Sequence, residues 1–176
     1  EEEIEKLKDH PCIKPIAFSE LARTAQLEKD LNYYYGKDWR DLVVPSESCQ
    51  RYVNRIREVA DEDPELLVGH HYTRYLGDLS GGQILRGIAD KALDLPEGEG
   101  LHFYEFPEIE DNKEFKTNYR ASLDSLPISQ SGANAIINEA NYAFRLNMYM
   151  FDEIQGNGFK AFVTLLCSVV KGRTMT

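Results

Sequence analysis

The sequence predicts an all-α domain. Apolar residues recur at three- and four-residue steps along most of the chain, and the segments so patterned are opened by Ser or Asp and closed by Gly or Pro. The stretches between them offer little of the alternation a strand needs. At 176 residues the chain has the size of one domain. It can bury about 70% of its unfolded surface without disulfides or a structural metal. With 42% hydrophobic and 28% charged residues it falls outside the disordered and membrane-spanning classes.

Taken in order, Glu1 to Lys8 is already mid-helix in character, with no capping residue ahead of it, so a preceding segment is expected. Ser19 can cap a helix with Leu21, Ala25, Leu27, Leu31 and Tyr34 on one side, ended by Gly36. Pro45 and Ser46 open a second, with Cys49, Tyr52, Val53, Ile56 and Val59 on its face. Asp63-Pro64-Glu65 starts a third that runs unusually far, to Leu93. Residues 96–107, with Gly98 and Gly100, form a loop or short extended piece. Asp111 and Glu114 make a capping box for a helix to Pro127. Ser129 starts the last helix, whose inner face is expected at Ile136, Ile137, Ala140, Ala143, Phe144, Asn147, Phe151 and Ile154 before Gly156-Asn157-Gly158 ends it. Beyond it Ala161 to Val170 is apolar, about half the length of a spanning helix.

Twenty basic against thirty acidic residues give a formal charge of −10, which argues against nucleic acid as a partner. Cys12, Cys49 and Cys167 are odd in number and far apart, which fits a reducing cytoplasm better than a disulfide framework. The histidines show no zinc or di-iron spacing, and no nucleotide or hydrolase motif is present.

The informative segment is His70-His71-Tyr72-Thr73-Arg74-Tyr75-Leu76-Gly77-Asp78-Leu79-Ser80-Gly81-Gly82-Gln83. A glycine inside a helix costs about 1 kcal/mol relative to Ala, so three within six residues need an offsetting reason. On an ideal wheel of about 100° per residue, His71, Arg74, Gly77, Asp78, Gly81 and Gly82 share a stripe roughly 140° wide. Two readings stand open. One is a notch where another helix crosses closely, with no ligand. The other is a flat ligand against bare backbone, with Asp78 reaching its reactive centre through water; the polarity of Arg74 and Asp78 favours this second reading. Lys116 and Arg120, four residues apart, make either a solvated face or a clamp for carboxylates. Asn147 is a polar group amid apolar neighbours and needs a partner if buried.

The segment H-H-Y-T-R-Y-L-G-D-L-S-G-G-Q closely resembles the distal helix of animal-type heme oxygenases. The likeness extends to P-E-L-L-V at 64–68, K-A-L-D-L-P at 91–96, F-K-T-N-Y-R at 115–120 and N-E-A-N-Y-A-F-R-L-N at 138–147, over roughly residues 1–155. The resemblance implies a helical fold that sandwiches heme between proximal and distal helices and converts it to biliverdin, carbon monoxide and ferrous iron. Heme b is then both cofactor and substrate, with O₂ and electrons from an NADPH-dependent, cytochrome P450-type reductase consumed. Carried over residue by residue, Asp78, Arg74 and Asn147 form the catalytic water network. Gly77, Ser80, Gly81 and Gly82 lie against the porphyrin, Tyr72, Lys116 and Arg120 meet the propionates, and Phe144 and Phe151 pack at the heme edge.

The family's iron ligand is a proximal histidine expected upstream of Glu1, so the domain (1–158) is expected to be N-terminally incomplete, with 159–176 a tail of unknown role. His71 stands where the family has a small residue. It either perturbs the distal network, or even reaches the iron, or is simply a solvated or helix-packed histidine. The implied location is cytoplasmic, extending to the cytosolic face of the endoplasmic reticulum. Its membrane association is peripheral or absent. The competing reading is a non-catalytic heme-binding or interaction module that has lost its proximal ligand. A third is a helical bundle without a ligand.

Overall fold

A computed structural model describes residues 1–153, and every regular element among them is helical. The α-helices are α1 (Glu2–Lys6), α2 (Thr24–Tyr35), α3 (Trp39–Leu42), α4 (Glu47–Glu62), α5 (Leu67–His71), α6 (Gln83–Leu93), α7 (Asn112–Asp124) and α8 (Gln130–Glu153). Short 3₁₀ turns stand at Lys14–Ile16, Ser19–Leu21, Pro64–Leu66 and His102–Tyr104.

Several boundaries follow the local chemistry. The Ser46 hydroxyl accepts from Cys49 N and starts α4. The Asp111 carboxylate accepts from Lys113 N and Glu114 N and starts α7. Ser129 Oγ accepts from Gly132 N at the head of α8. Gly36 closes α2 at φ 78°.

The expectation that Ser19 caps α2 is overturned. Ser19 sits in a 3₁₀ turn, and α2 begins at Thr24, where the Glu1 carboxylate accepts from Arg23 N (2.7 Å) and Thr24 N (3.2 Å). A carboxylate from another segment thus supplies both the lone pairs and the negative charge that a helix start favours.

The expected inner face of α8 is also corrected. Its buried residues are Ile136, Glu139, Ala143 and Leu146, whereas Ile137 and Phe144 are 59% and 52% exposed and Phe151 is exposed as well. Apolar spacing alone could not place that face, because α8 carries apolar residues on two sides. The buried carboxylate of Glu139 marks the inner one. It accepts two hydrogen bonds from Arg55 on α4 (2.9 and 2.7 Å) and one from His70 Nε2 (2.9 Å). Burial alone would raise the Glu139 carboxyl, but these bonds outweigh it and hold it below its usual range.

The main core gathers Ile13, Ile16, Leu21, Val59, Leu67, Val68, Leu76, Leu79, Tyr119 and Ile136 around α5 and the segment that follows it. A smaller cluster of Tyr52, Ala143 and Leu146 joins α4 to α8. Where α5 crosses α8, Gly69 lies against the backbone of Ile136 and Ala140. On the other side Asp30 of α2 accepts from His102 N, His102 Nδ1 and Phe103 N, pinning the 102–104 turn to α2.

The long third helix is present as a continuous helical run, but its middle is not α-helical. Residues Tyr72–Leu76 and Asp78–Gly82 form wide π turns. Thr73 Oγ1 donates to Gly69 O four residues back (2.8 Å), drawing on a carbonyl of the helix ladder as the widening begins. Among the described residues no helix is long and apolar enough to cross a membrane. Ile154, Gly156-Asn157-Gly158 and the apolar run at 161–170 lie outside the described residues.

Candidate functional site

The wide turns change which side chains share a face. In a π turn the fifth residue, not the fourth, returns near the starting direction. Tyr72, Gly77 and Gly81, spaced five and four apart, are accordingly all exposed, and Ser80 with them. A methyl group added at Gly77 or Gly81 would meet nothing within 4 Å. These glycines therefore present open, flat backbone and accommodate no crossing helix. Both flanking π turns keep ordinary right-handed angles, so backbone freedom is not the reason for glycine here.

The single stripe expected from an ideal wheel is corrected at two residues. Gly82 is buried, and a Cβ there would stand 3.2 Å from Asp78 Cβ, so it makes room for Asp78 and lies off the open face. His71 turns inward. Its Nδ1 is 2.6 Å from Tyr119 OH, its ring stacks on Tyr119, and burial holds it down to about 3. The iron-reaching option for His71 is thus replaced by a neutral histidine packed in the core.

Beside the open face runs a polar network. Arg74 Nη1 donates to Asn147 Oδ1 on α8 (2.7 Å), and Arg74 Nη2 stands 3.4 Å from Asp78 Oδ2. Asn147 Nδ2 donates to Ala143 O (3.0 Å) and reaches Tyr52 OH at 3.5 Å. Burial raises the Tyr52 phenol, so it stays neutral while it accepts from Asn147. The structure thus brings together Asp78, Arg74 and Asn147 and adds Tyr52 and Arg23, which sequence reasoning missed. Arg23 Nη2 donates to Asp78 Oδ2 at 2.8 Å. Its position just before α2 carries no local signal, because only the tertiary fold brings α2 beside the wide turns. Among the described residues Asp78 Oδ1 takes no hydrogen bond and is the oxygen available to order water.

At one end of the open face Lys116 Nζ lies 3.4 Å from Ser80 Oγ, joining α7 to the wide turns. Arg120, exposed and one turn further along α7, donates to Lys116 O at 3.4 Å. Phe144 and Phe151 stand exposed on α8, three residues before and four after Asn147.

A flat macrocycle with two carboxylates fits these features: uncluttered backbone, paired cations at one end, exposed aromatic rings on the neighbouring helix, and a fixed carboxylate alongside. The four histidines are each committed elsewhere in the fold, His10 to Cys12 N, His70 to Glu139, His71 to Tyr119 and His102 to Asp30.

Comparison with known proteins gives a consistent picture. The family model described as heme oxygenase matches residues 1–153. The heme oxygenase of Porphyra purpurea is 51% identical over 175 residues, covering 99% of this chain and 74% of that protein. Heme oxygenase 1 of Synechocystis is 55% identical over 161 residues, covering 92% of this chain and 67% of that protein. The crystal structure of heme oxygenase-1 from Synechocystis in complex with heme superposes with a TM-score of 0.86 at 51% identity, covering 96% of this chain and 76% of that one. The family match covers residues 1–153, and the proximal helix expected upstream of Glu1 would lie outside them.

Proposed function

The chain belongs to the heme oxygenase family, and from that premise we propose that the open face of residues 72–81 is where it binds heme for oxidative cleavage. The protein is an oxidoreductase of heme degradation, yielding biliverdin. The alternative of a non-catalytic heme-binding module is not favoured, since relatives at about half identity along nearly the whole chain are heme oxygenases. The observation that carries the placement is the pair of open glycines, Gly77 and Gly81, beside a carboxylate fixed by cations.

Bound heme supplies the iron that activates O₂ and the carbon skeleton that is opened, releasing carbon monoxide and ferrous iron. The chain's own residues do the rest. Gly77 and Gly81 let backbone approach the ring face, where any side chain would hold the ring away. Lys116 and Arg120, with the Tyr72 phenol, take the two propionates and fix the in-plane orientation, which decides which ring position faces the polar network. Ser80 keeps Lys116 at that end. Phe144 and Phe151 cover the heme edge. Asp78 Oδ1 accepts from a water over the ring, while Arg74 and Asn147 hold the carboxylate's direction; the network thereby delivers protons through ordered water.

Electrons come on this reading from an NADPH-dependent, cytochrome P450-type reductase, in the cytoplasm, where Cys12 and Cys49 remain free thiols as they are in the fold. Nothing in the described helices calls for a position on the endoplasmic reticulum.

The test is a hemin titration followed at the Soret band, with and without added imidazole, and then reduction in air with reductase and NADPH. One-to-one binding and the appearance of biliverdin are expected. Absence of any saturable Soret change under both conditions overturns the placement.

A further inference from the structure

We infer that Arg23 is a positioning residue for the reaction, holding the Asp78 carboxylate from behind the open face; this rests on the reading above that Asp78 orders water over the heme.

The two arginines on Asp78 Oδ2 are not equivalent. Arg74 is on the same helical run, 37% exposed, 3.4 Å from Asp78, and shared with Asn147. Arg23 comes from the start of α2, is 4% exposed, and donates at 2.8 Å. Its guanidinium lies 4.4 Å from the Phe103 ring centre, 4.7 Å from Phe106 and 5.3 Å from Tyr75, and its Nη1 donates to Phe103 O at 3.1 Å. Its main-chain N–H is fixed by Glu1. The fork is thus held on three sides by rings and at its base by the backbone.

Stability alone does not account for this arrangement. Desolvating a guanidinium is costly, a buried ion pair seldom exceeds a hydrophobic replacement in stability, and Arg23 Nε is left buried without a partner. Its ion-pair partner among the described residues is Asp78. What it does supply is direction. A planar fork anchored by one nitrogen on Phe103 O and by the other on Asp78 fixes where Oδ2 lies, and so where Oδ1 points. The Asp30 grip on the 102–104 turn sets Phe103, and through it Arg23.

The experiment compares Arg23→Met, Arg23→Lys and Asp78→Asn in the heme-loaded full chain, reading heme affinity by Soret titration, the pH of the acid–alkaline transition in the visible spectrum, and the rate of biliverdin formation. Arg23→Met should bind heme within about twofold of the wild type. It should shift the transition in the same direction as Asp78→Asn and slow biliverdin formation roughly tenfold, about 1.4 kcal/mol. Arg23→Lys, which keeps the charge but not the fork, should recover part of both and keeps the test usable if Arg23→Met folds poorly. If Asp78→Asn moves the transition and the rate while both Arg23 variants match the wild type, the inference is overturned and the site reading stands. If Asp78→Asn moves neither, both fall.

Discussion

Gly69 and Gly77 lie about two turns apart on one helical run and serve opposite purposes. A methyl group at Gly69 would stand 2.8 Å from Ile136 O and 2.9 Å from Ala140 N, in the backbone of α8, whereas at Gly77 or Gly81 it would meet nothing within 4 Å. The helix-crossing explanation for glycine is therefore correct for this run, but at Gly69, outside the glycine cluster that attracted notice. Within the cluster Gly77 and Gly81 are open because the wide turns rotate them away from the core, while Gly82 packs against Asp78. Glycine content does not separate a packing notch from a ligand face; what stands opposite each Cα does.

The largest effect that sharpens this contrast is expected at Gly69→Ala. The clashing atoms are backbone and cannot swing aside, so unfolding in urea should show a loss of about 3 kcal/mol. A change below about 0.5 kcal/mol would mean that α5 and α8 part easily and would break the comparison.

Asp78→Ala, at the edge of the open face, should act on the chemistry as well as on stability. Biliverdin formation should fall about 100-fold, close to 2.7 kcal/mol in barrier, and the urea midpoint should drop too, because the buried Arg23 guanidinium is left without its partner. Unimpaired turnover would remove Asp78 from the chemistry.

The buried side of the run also predicts a pH effect. His71 is held at about 3 in the fold against an ordinary 6.5, so below pH 6.5 the unfolded chain takes up a proton that the fold refuses. Stability should therefore fall as the solution is acidified from pH 7 to 5, by roughly 2 kcal/mol from this residue. His71→Phe should reduce that dependence in paired urea melts at the two pH values, leaving the part from His70, likewise lowered by burial, and the part that Glu139 contributes closer to its own lowered range.

The smallest effect belongs to Gly81→Ala. With open space at the site and a better helix former in place, stability should rise by up to about 1 kcal/mol, while heme affinity weakens roughly tenfold because the methyl stands between ring and backbone. A loss of stability would show that Gly81 packs against something after all.

Much of this was legible in the chain. Ser46, Asp111, Ser129 and Gly36 act where they stand because a cap needs only its own neighbours within three residues. The motif from His70 to Gln83 identified the family, and Arg74 reaches both Asp78 and Asn147 in the fold.

Other features were decided by tertiary structure, because each depends on residues far apart in sequence. The start of α2 is set by the Glu1 carboxylate, not by Ser19. The inner face of α8 is chosen by Arg55 and His70 meeting Glu139, which an apolar pattern with two candidate faces cannot encode. The wheel failed at His71 and Gly82 because it assumed α geometry where the chain adopts π turns. Arg23 became part of the site only because α2 and the 102–104 turn fold onto Asp78. Local hydrogen bonds and periodicity fix elements; the pairing of buried charges across elements fixes which side of each one becomes a site.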